Sequence, residues 1–361
     1  MRLRLLMQNF KPYLDFVRYA VGSLAEVPAD SESIDWQDFF LFCQRQGIAG
    51  LVFGALEQSG LRVPQPVLFQ WVGIAETIRA TNRLLDKRCQ QVSQFWQEHG
   101  YRSCILKGQA NAMMHPRPEL RSPGDIDIWV DGDTVELIKI AQKEAPQGHY
   151  SLHHVTMPVY DDTSVEVHYR PVFLDNWWLD RRLQRITDEV KDAQFQNDVT
   201  LHEGQAIVHA LTDEFNALFL LLHMWHHLLS TRNNLKQLTD YYFLLRRGLT
   251  EEQRNRVSGQ FSRLGVQKYA RGIMWIEHKV LGLEEQYLIT EPDEKIGRIL
   301  LRETLHYGEN KRRKVSKVHT LVSRITRNLH LFWYFPAPVL IAPAYLVWHQ
   351  WWKWRMDKRL H

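Results

Sequence analysis

Tyr101–Val130, YRSCILKGQANAMMHPRPELRSPGDIDIWV, decides how this chain of 361 residues is read. Ser103 to Leu106 is a short apolar run without a helical period, which predicts a strand ending at Lys107-Gly108. Gly108 to Met114 would start a helix, and Pro116, Pro118 and Pro123 mark a loop. Asp125 to Val130 predicts a second strand. Successive side chains on a strand face opposite ways, so Asp125 and Asp127 share a face while Ile126, Ile128 and Val130 point to the core.

Working outward, Asp133 is placed to cap a helix running to about Ala145. Leu152–Val159 and Ser164–Tyr169 read as two strands joined by a turn at Asp161-Asp162. Glu166 and His168 then share a face. If their strand pairs beside Asp125–Val130, Glu166 lies across from the two aspartates. Three acids around one point repel unless a cation or a proton relieves them. Such a set suits a hard divalent cation, Mg²⁺ or Mn²⁺, which keeps water and substrate phosphates among its ligands. A cation pair so held can activate an attacking hydroxyl and stabilise a leaving pyrophosphate. Gly108 fits a turn where backbone N–H groups meet phosphate oxygens, with partial charge from the helix N-terminus behind them. Lys107 and Arg121 are candidates to neutralise a triphosphate. The structural alternatives are a solvated strand end for Lys107, an ion pair to an acid for Arg121 and a strand terminus for His168.

Three ordered motifs carry a resemblance. Leu106-Lys107-Gly108, then Arg121 to Ile128 (R-x-x-G-D-I-D-I), then Val165 to Arg170 (VEVHYR) resemble a nucleotidyltransferase family within the polymerase β-like nucleotidyltransferase superfamily. Leu221–Leu229 (LLHMWHHLL) and Leu235–Asp240 (LKQLTD) resemble that family's second half. The resemblance implies that Asp125, Asp127 and Glu166 are the metal-binding and catalytic acids. It implies that Gly108 is the phosphate-binding turn, and Lys107, Gln109, Arg121 and His168 are the further candidates for nucleotide contact. The superfamily usually has Gly-Gly or Gly-Ser at the phosphate turn, so Gln109 is a departure, and the superfamily includes inactive members.

The rest of the chain reads as helical. Up to Gly100 the apolar positions recur at helical spacing, with Asp35 a candidate N-cap and Gly100 a stop. From Asn176 onward helices are expected over Glu203–Leu229, Leu235–Arg247, Ser262–Leu281 and Glu294–Tyr307. The expected class is α+β: a small mixed-sheet nucleotidyltransferase core at 101–175, helical regions at 1–100 and 176–310, and a basic, aromatic tail at 311–361. His223, His226 and His227 have helical spacing that suits zinc, but their apolar neighbours favour a packed helix. Lys236 and Asp240 read as a helix-surface pair.

Apolar residues make up 45% and charged residues 24%, which excludes a disordered chain, and a net charge of +4 permits an anionic substrate without requiring one. Three cysteines without metal spacing fit a reducing, cytoplasmic compartment, and the basic start is too short in its apolar run for a signal peptide. For the tail, a span broken by Pro336, Pro338 and Pro343 is weighed against a membrane-surface contact through Trp348, Trp351, Trp352 and Trp354, and against a buried arm. Two functions follow as expectations. One is metal-dependent transfer of an NMP from ATP or another NTP, with pyrophosphate release, to an acceptor of small-molecule, protein or RNA kind. The other is a non-catalytic nucleotide-binding or scaffold protein retaining the fold. The basic run Lys311–Lys317 is the one feature that speaks for RNA.

Overall fold

The computed structural model describes residues 2–202, 206–230, 232–306 and 330–360. The chain divides into two units, each assembled from three segments. A helical unit comprises Met1–Asn82, Ala112–Ser122 and Met224–Lys317, and a sheet unit comprises Arg83–Asn111, Pro123–His223 and Val318–His361.

The amino-terminal helices form where the apolar period predicts them: α1 (Arg2–Ala20), α2 (Trp36–Gln46), α3 (Ala49–Ser59) and α4 (Gln65–Glu98). The Asp35 carboxylate accepts from the Gln37 and Asp38 amides and starts α2 as expected. Gly100, at φ +83°, lets the chain turn out of α4 in a left-handed conformation. In the helical unit Phe16, Trp36, Phe39 and Trp71 meet edge to face and bury the apolar stripes of α1, α2 and α4.

The sheet unit carries the strands of the central stretch. These are β1 (Ser103–Ile105), β2 (Ile126–Val130), β3 (His154–Thr156) and β4 (Val165–His168), with α5 (Gln109–Ala112) between β1 and β2 and α6 (Thr134–Glu144) after β2. They form one mixed sheet in the order β1-β2-β4-β3. β2 runs antiparallel to β1 and parallel to β4, and β3 runs antiparallel to β4. Asp133 caps α6 through the Val135 and Glu136 amides. Every residue of β2 is buried, Asp127 included. The alternation thus separates two covered faces, not a core face from a solvent face. The class is α+β.

Beyond Asn176 the chain is less uniformly helical than its composition suggests. After α7 (Trp177–Gln194) comes a two-stranded sheet, β5 (Asp198–Thr200) with β6 (Ile207–His209), and the apolar helix α8 begins only at Asp213 (Asp213–Ser230). Ala210 bridges to Ile105, a long-range pairing that overrides the helical reading of this stretch. In the helical unit follow α9 (Leu235–Arg246), α10 (Glu251–Arg263), α11 (Gln267–Trp275) and α12 (Glu294–Leu305), with one π turn at Ile276–Val280 extending α11. A single helix expected over Ser262–Leu281 is therefore broken near Gly265, which takes φ +70°. α11 and α12 cross closely: a Cβ at Gly297 would lie 2.5 Å from the Trp275 ring.

Among the described residues the tail carries the long helix α13 (Pro336–Leu360), which continues through Pro338 and Pro343. It belongs to the sheet unit, where Met356 is buried and the Trp352 ring meets Tyr150 edge to face at 6.1 Å. Trp351 and Trp354 on the same helix are exposed. The basic run at 311–317 lies outside the described residues. Among the described residues no helix is long and apolar enough to cross a membrane.

Candidate functional site

The site is a product of strand register. Parallel pairing puts Asp127 directly beside Glu166, and antiparallel pairing puts His154 directly opposite His168. Residues opposite one another across a sheet share a face, as do residues two apart on a strand. Asp127, Glu166, His168 and His154 therefore gather on one face of three adjacent strands. The conditional expectation for Glu166 is met by this register.

Asp127 lies at the centre, with its side chain 2% exposed. Its Oδ2 faces Lys107 Nζ at 3.1 Å and its Oδ1 faces His168 Nε2 at 3.0 Å. Asp125 sits just before β2 and is more open, 3.7 Å from the same Lys107 Nζ. Glu166 Oε2 lies 3.7 Å from His168 Nε2 and 3.6 Å from His154 Nδ1. Three carboxylates thus face one ammonium and the imidazoles. Burial alone would raise the Asp127 carboxyl, but the Lys107 charge and the His168 hydrogen bond outweigh it and hold Asp127 below the usual carboxylate range. Burial likewise opposes charge on His168, yet Asp127 and Glu166 push it up to about 9. Lys107 is raised for the same reason: burial is outweighed by Asp127 and Asp125. Glu166 is lowered, its burial overcome by His168 and His154.

The residues present fit a bound cation. Asp127, Glu166 and His168 each offer a donor atom, and those atoms lie within 4.8 Å of one another. Gly108 adopts φ +69°, with a hypothetical Cβ 3.4 Å from the Asp125 carbonyl oxygen, so the turn after β1 needs glycine. The helix after it is a single turn of four residues. Its terminal charge is accordingly smaller than the sequence led us to expect. Gln109 is buried and its amide donates to Asp86 on α4 at 2.5 Å.

Arg121 is placed differently from the triphosphate role expected of it. It belongs to the helical unit, where its Nε and Nη2 donate to the two Asp240 oxygens at 2.8 and 2.7 Å. His115 Nε2 lies 2.8 Å from the same carboxylate. Asp240 is consequently not part of a helix-surface pair with Lys236: it is buried, and Arg121 is its bidentate partner. Among the described residues no set of metal-donor atoms gathers at His223, His226 or His227.

Sequence reasoning missed His153 and His154. Their rings lie 4.4 Å apart beside the acids. The available signal was two adjacent histidines at the start of the strand that precedes the Glu166 strand, but only the register brings them to the site. A cavity of about 860 Å³ in the same unit is walled by Trp177, Trp178, Tyr345, Trp348 and Trp352, with Arg170 and Asp175 among its polar residues. Phe173 links the two places, its ring tilted against His153 at 4.5 Å and stacked on Tyr345 at 5.9 Å.

The family described as an uncharacterised nucleotidyltransferase matches this chain over residues 32–282. Among solved structures, an antigenic nucleotidyltransferase-like protein from Paracoccidioides brasiliensis is similar at 15% identity and a TM-score of 0.36, covering 54% of this chain and 92% of that one. No curated protein matches the sequence.

Proposed function

This chain belongs to the uncharacterised nucleotidyltransferase family, and on that premise we propose that it moves a nucleoside monophosphate from an NTP to a hydroxyl of a small-molecule acceptor, releasing pyrophosphate. The observation that carries the reading is the register pairing Asp127 with Glu166 beneath Lys107. Asp125, Asp127 and Glu166 would hold a divalent cation. When bound, that cation would supply the positive charge that offsets the phosphates and lowers the pKa of the attacking hydroxyl.

The chain's own groups would do the rest. Lys107 has a side chain 19% exposed, and its ammonium is already drawn to the acids. It would turn to the phosphates as they arrive, since a triphosphate carries more negative charge than the carboxylates it leaves. Gly108 lets the backbone come close to the phosphate oxygens. His168 would hold Asp127 in one orientation, and Glu166 would accept the acceptor's proton. The aromatic cavity would take the acceptor, its rings stacking on an apolar or sugar-like face while Arg170 and Asp175 address polar groups. The exposed Trp351 and Trp354, near Lys353 and Lys358, would suit contact with a membrane surface.

The test is direct. The full chain is incubated with each labelled NTP and Mg²⁺ or Mn²⁺, and NTP binding and pyrophosphate are followed. Metal-dependent binding is expected, with slow pyrophosphate release when water takes the acceptor's place and leaves the nucleoside monophosphate. Absence of NTP binding with every base and either metal would sink the proposal. A second reading, nucleotide binding without turnover, is favoured by Gln109, whose side chain is engaged with Asp86 where a small hydroxyl residue is common in the superfamily. It expects NTP binding with no pyrophosphate under any condition.

A further inference from the structure

We propose that this site takes a first-row transition-metal ion, which would displace to solvent the proton that His168 Nε2 shares with Asp127 and be held by the imidazoles of His153, His154 and His168 together with Glu166 and Asp127. This deepens the reading above by naming the class of ion, and it rests on that reading for Asp127 and Glu166 as ligands.

A metal–nitrogen bond of ~2.0–2.1 Å makes neighbouring ligand atoms lie roughly 3.0 Å apart around an octahedral ion and roughly 3.4 Å apart around a tetrahedral one. Here His153 Nε2 and His154 Nδ1 lie 2.9 Å apart, and His168 Nε2 and Asp127 Oδ1 lie 3.0 Å apart. Glu166 Oε2 lies 3.6 Å from His154 Nδ1 and 3.7 Å from His168 Nε2. The first two separations are those of neighbouring donors around one ion, and Glu166 Oε2 lies a few tenths of an ångström beyond the tetrahedral value from both of its neighbours. The three imidazoles form a donor group in their own right, and His168 is shared with the acid group.

The outer contacts also suit metal-binding histidines. Such a histidine usually engages its second ring nitrogen with a hydroxyl, carbonyl or carboxylate, which sets the ring orientation. His153 Nδ1 lies 3.3 Å from Ser151 Oγ, and the Phe173 ring lies tilted against the same imidazole. His168 Nδ1 lies 3.4 Å from the Arg170 carbonyl oxygen. In each case the nitrogen on the other side of the ring is the one turned to the cluster. Imidazole suits Zn²⁺, Fe²⁺, Co²⁺ and Ni²⁺, whereas Mg²⁺ selects carboxylate, carbonyl and water oxygens. A site that brings three imidazoles to two carboxylates therefore discriminates against the Mg²⁺ expected from the acids alone.

The experiment uses the full chain stripped with chelator and then titrated with Co²⁺, Zn²⁺, Mn²⁺ and Mg²⁺ in the absence of nucleotide. Binding is followed by equilibrium dialysis and, for Co²⁺, by visible absorption. We expect Co²⁺ and Zn²⁺ to bind far more tightly than Mg²⁺, with Co²⁺ bands reporting nitrogen ligands. His153→Gln and His154→Gln, tested separately, should each weaken Co²⁺ binding at least tenfold and alter the bands. Selective Mg²⁺ binding, or Co²⁺ binding that neither substitution changes, overturns the proposal. NTP binding is measured in parallel with Mg²⁺. If it persists while the histidine variants leave Co²⁺ binding untouched, the metal assignment fails and the transfer reading stands. If Co²⁺ binds as described and no NTP binds under any cation, the transfer reading fails alone.

Discussion

The two units each bury one aspartate with a cation and an imidazole, and the two clusters are built to opposite ends. In the helical unit Asp240 is held bidentately by Arg121 and touched by His115, and all three side chains are at most 7% exposed. One carboxylate meets a rigid guanidinium fork, and the acid is held well below the usual carboxylate range: burial is outweighed by the Arg121 charge and its hydrogen bonds. In the sheet unit Asp127 is buried as deeply, but its cation is the flexible Lys107, shared with Asp125, and Glu166 stands beside it. The first cluster is electrically closed and braces the fold. The second has acids to spare and faces partly open groups, which is how a site that takes a cationic ligand differs from a structural ion pair.

This comparison can be broken most forcefully at Asp240. Asp240→Asn leaves the Arg121 guanidinium buried without its counter-charge, and such a loss costs about 3–5 kcal/mol. Urea unfolding of the variant should show it, and a change near zero would mean that the cluster does not brace the fold. The pH dependence follows with the same sign. A depressed carboxylate contributes stability that is present above its unfolded value, 3.8, and is lost as pH falls through the folded value. The wild type should therefore lose stability below about pH 4 with a slope that Asp240→Asn lacks.

Asp127→Asn should do the reverse. It keeps an oxygen for His168, and Asp125 and Glu166 remain as counter-charges for Lys107 and His168, so stability should fall by about 1 kcal/mol, well short of the Asp240→Asn loss. Pyrophosphate release should fall by about a hundredfold or more, the scale of losing a key electrostatic group. Full activity in this variant would remove Asp127 from the chemistry. Lys107→Met sharpens the contrast between the two cations. On the proposed reading Lys107 would compete with the metal for Asp125 and Asp127, so metal binding without nucleotide should tighten, by about tenfold if the competition costs ~1.4 kcal/mol. NTP binding should weaken. Weaker metal binding in a calorimetric titration would show that Lys107 supports the cation instead of standing in for it.

Glu277 is the limiting case, a buried acid whose oxygens hydrogen-bond to nothing among the described residues. Burial raises its pKa well above 4.5. The folded state then holds a proton that the unfolded state releases, so stability falls as pH rises above about 4.5 toward the folded value. Glu277→Gln should gain on the wild type by up to about 1.4 kcal/mol for each pH unit between pH 5 and pH 8, with the gap closing toward pH 5. A gap independent of pH would show that the carboxyl is not protonated in the fold.

Much of this was legible from local pattern. The runs around Cys104, Ile128 and Val167 are strands, and Asp35 and Asp133 cap the helices they precede. Gly108 has the left-handed conformation its turn required. Less legible were β5 and β6, whose three-residue runs are too short to show a period and are tied in by the distant Ile105. The Arg121 partner was unreadable because Asp240 lies 119 residues away in sequence.

By itself the sequence determined the class, the Asp-x-Asp strand and the family, because period, capping and turn chemistry act over a few residues. Only the tertiary structure decided which side chains meet. Parallel pairing of β2 with β4 set Glu166 beside Asp127, antiparallel pairing of β3 with β4 brought His154 to His168, and packing in the helical unit gave Arg121 to Asp240. A shift of one residue in either pairing would turn the acids or the histidines to the other face. The stretch Tyr101–Val130 supplies Lys107, Asp125 and Asp127, and strand register adds Glu166 and the histidines that complete the site.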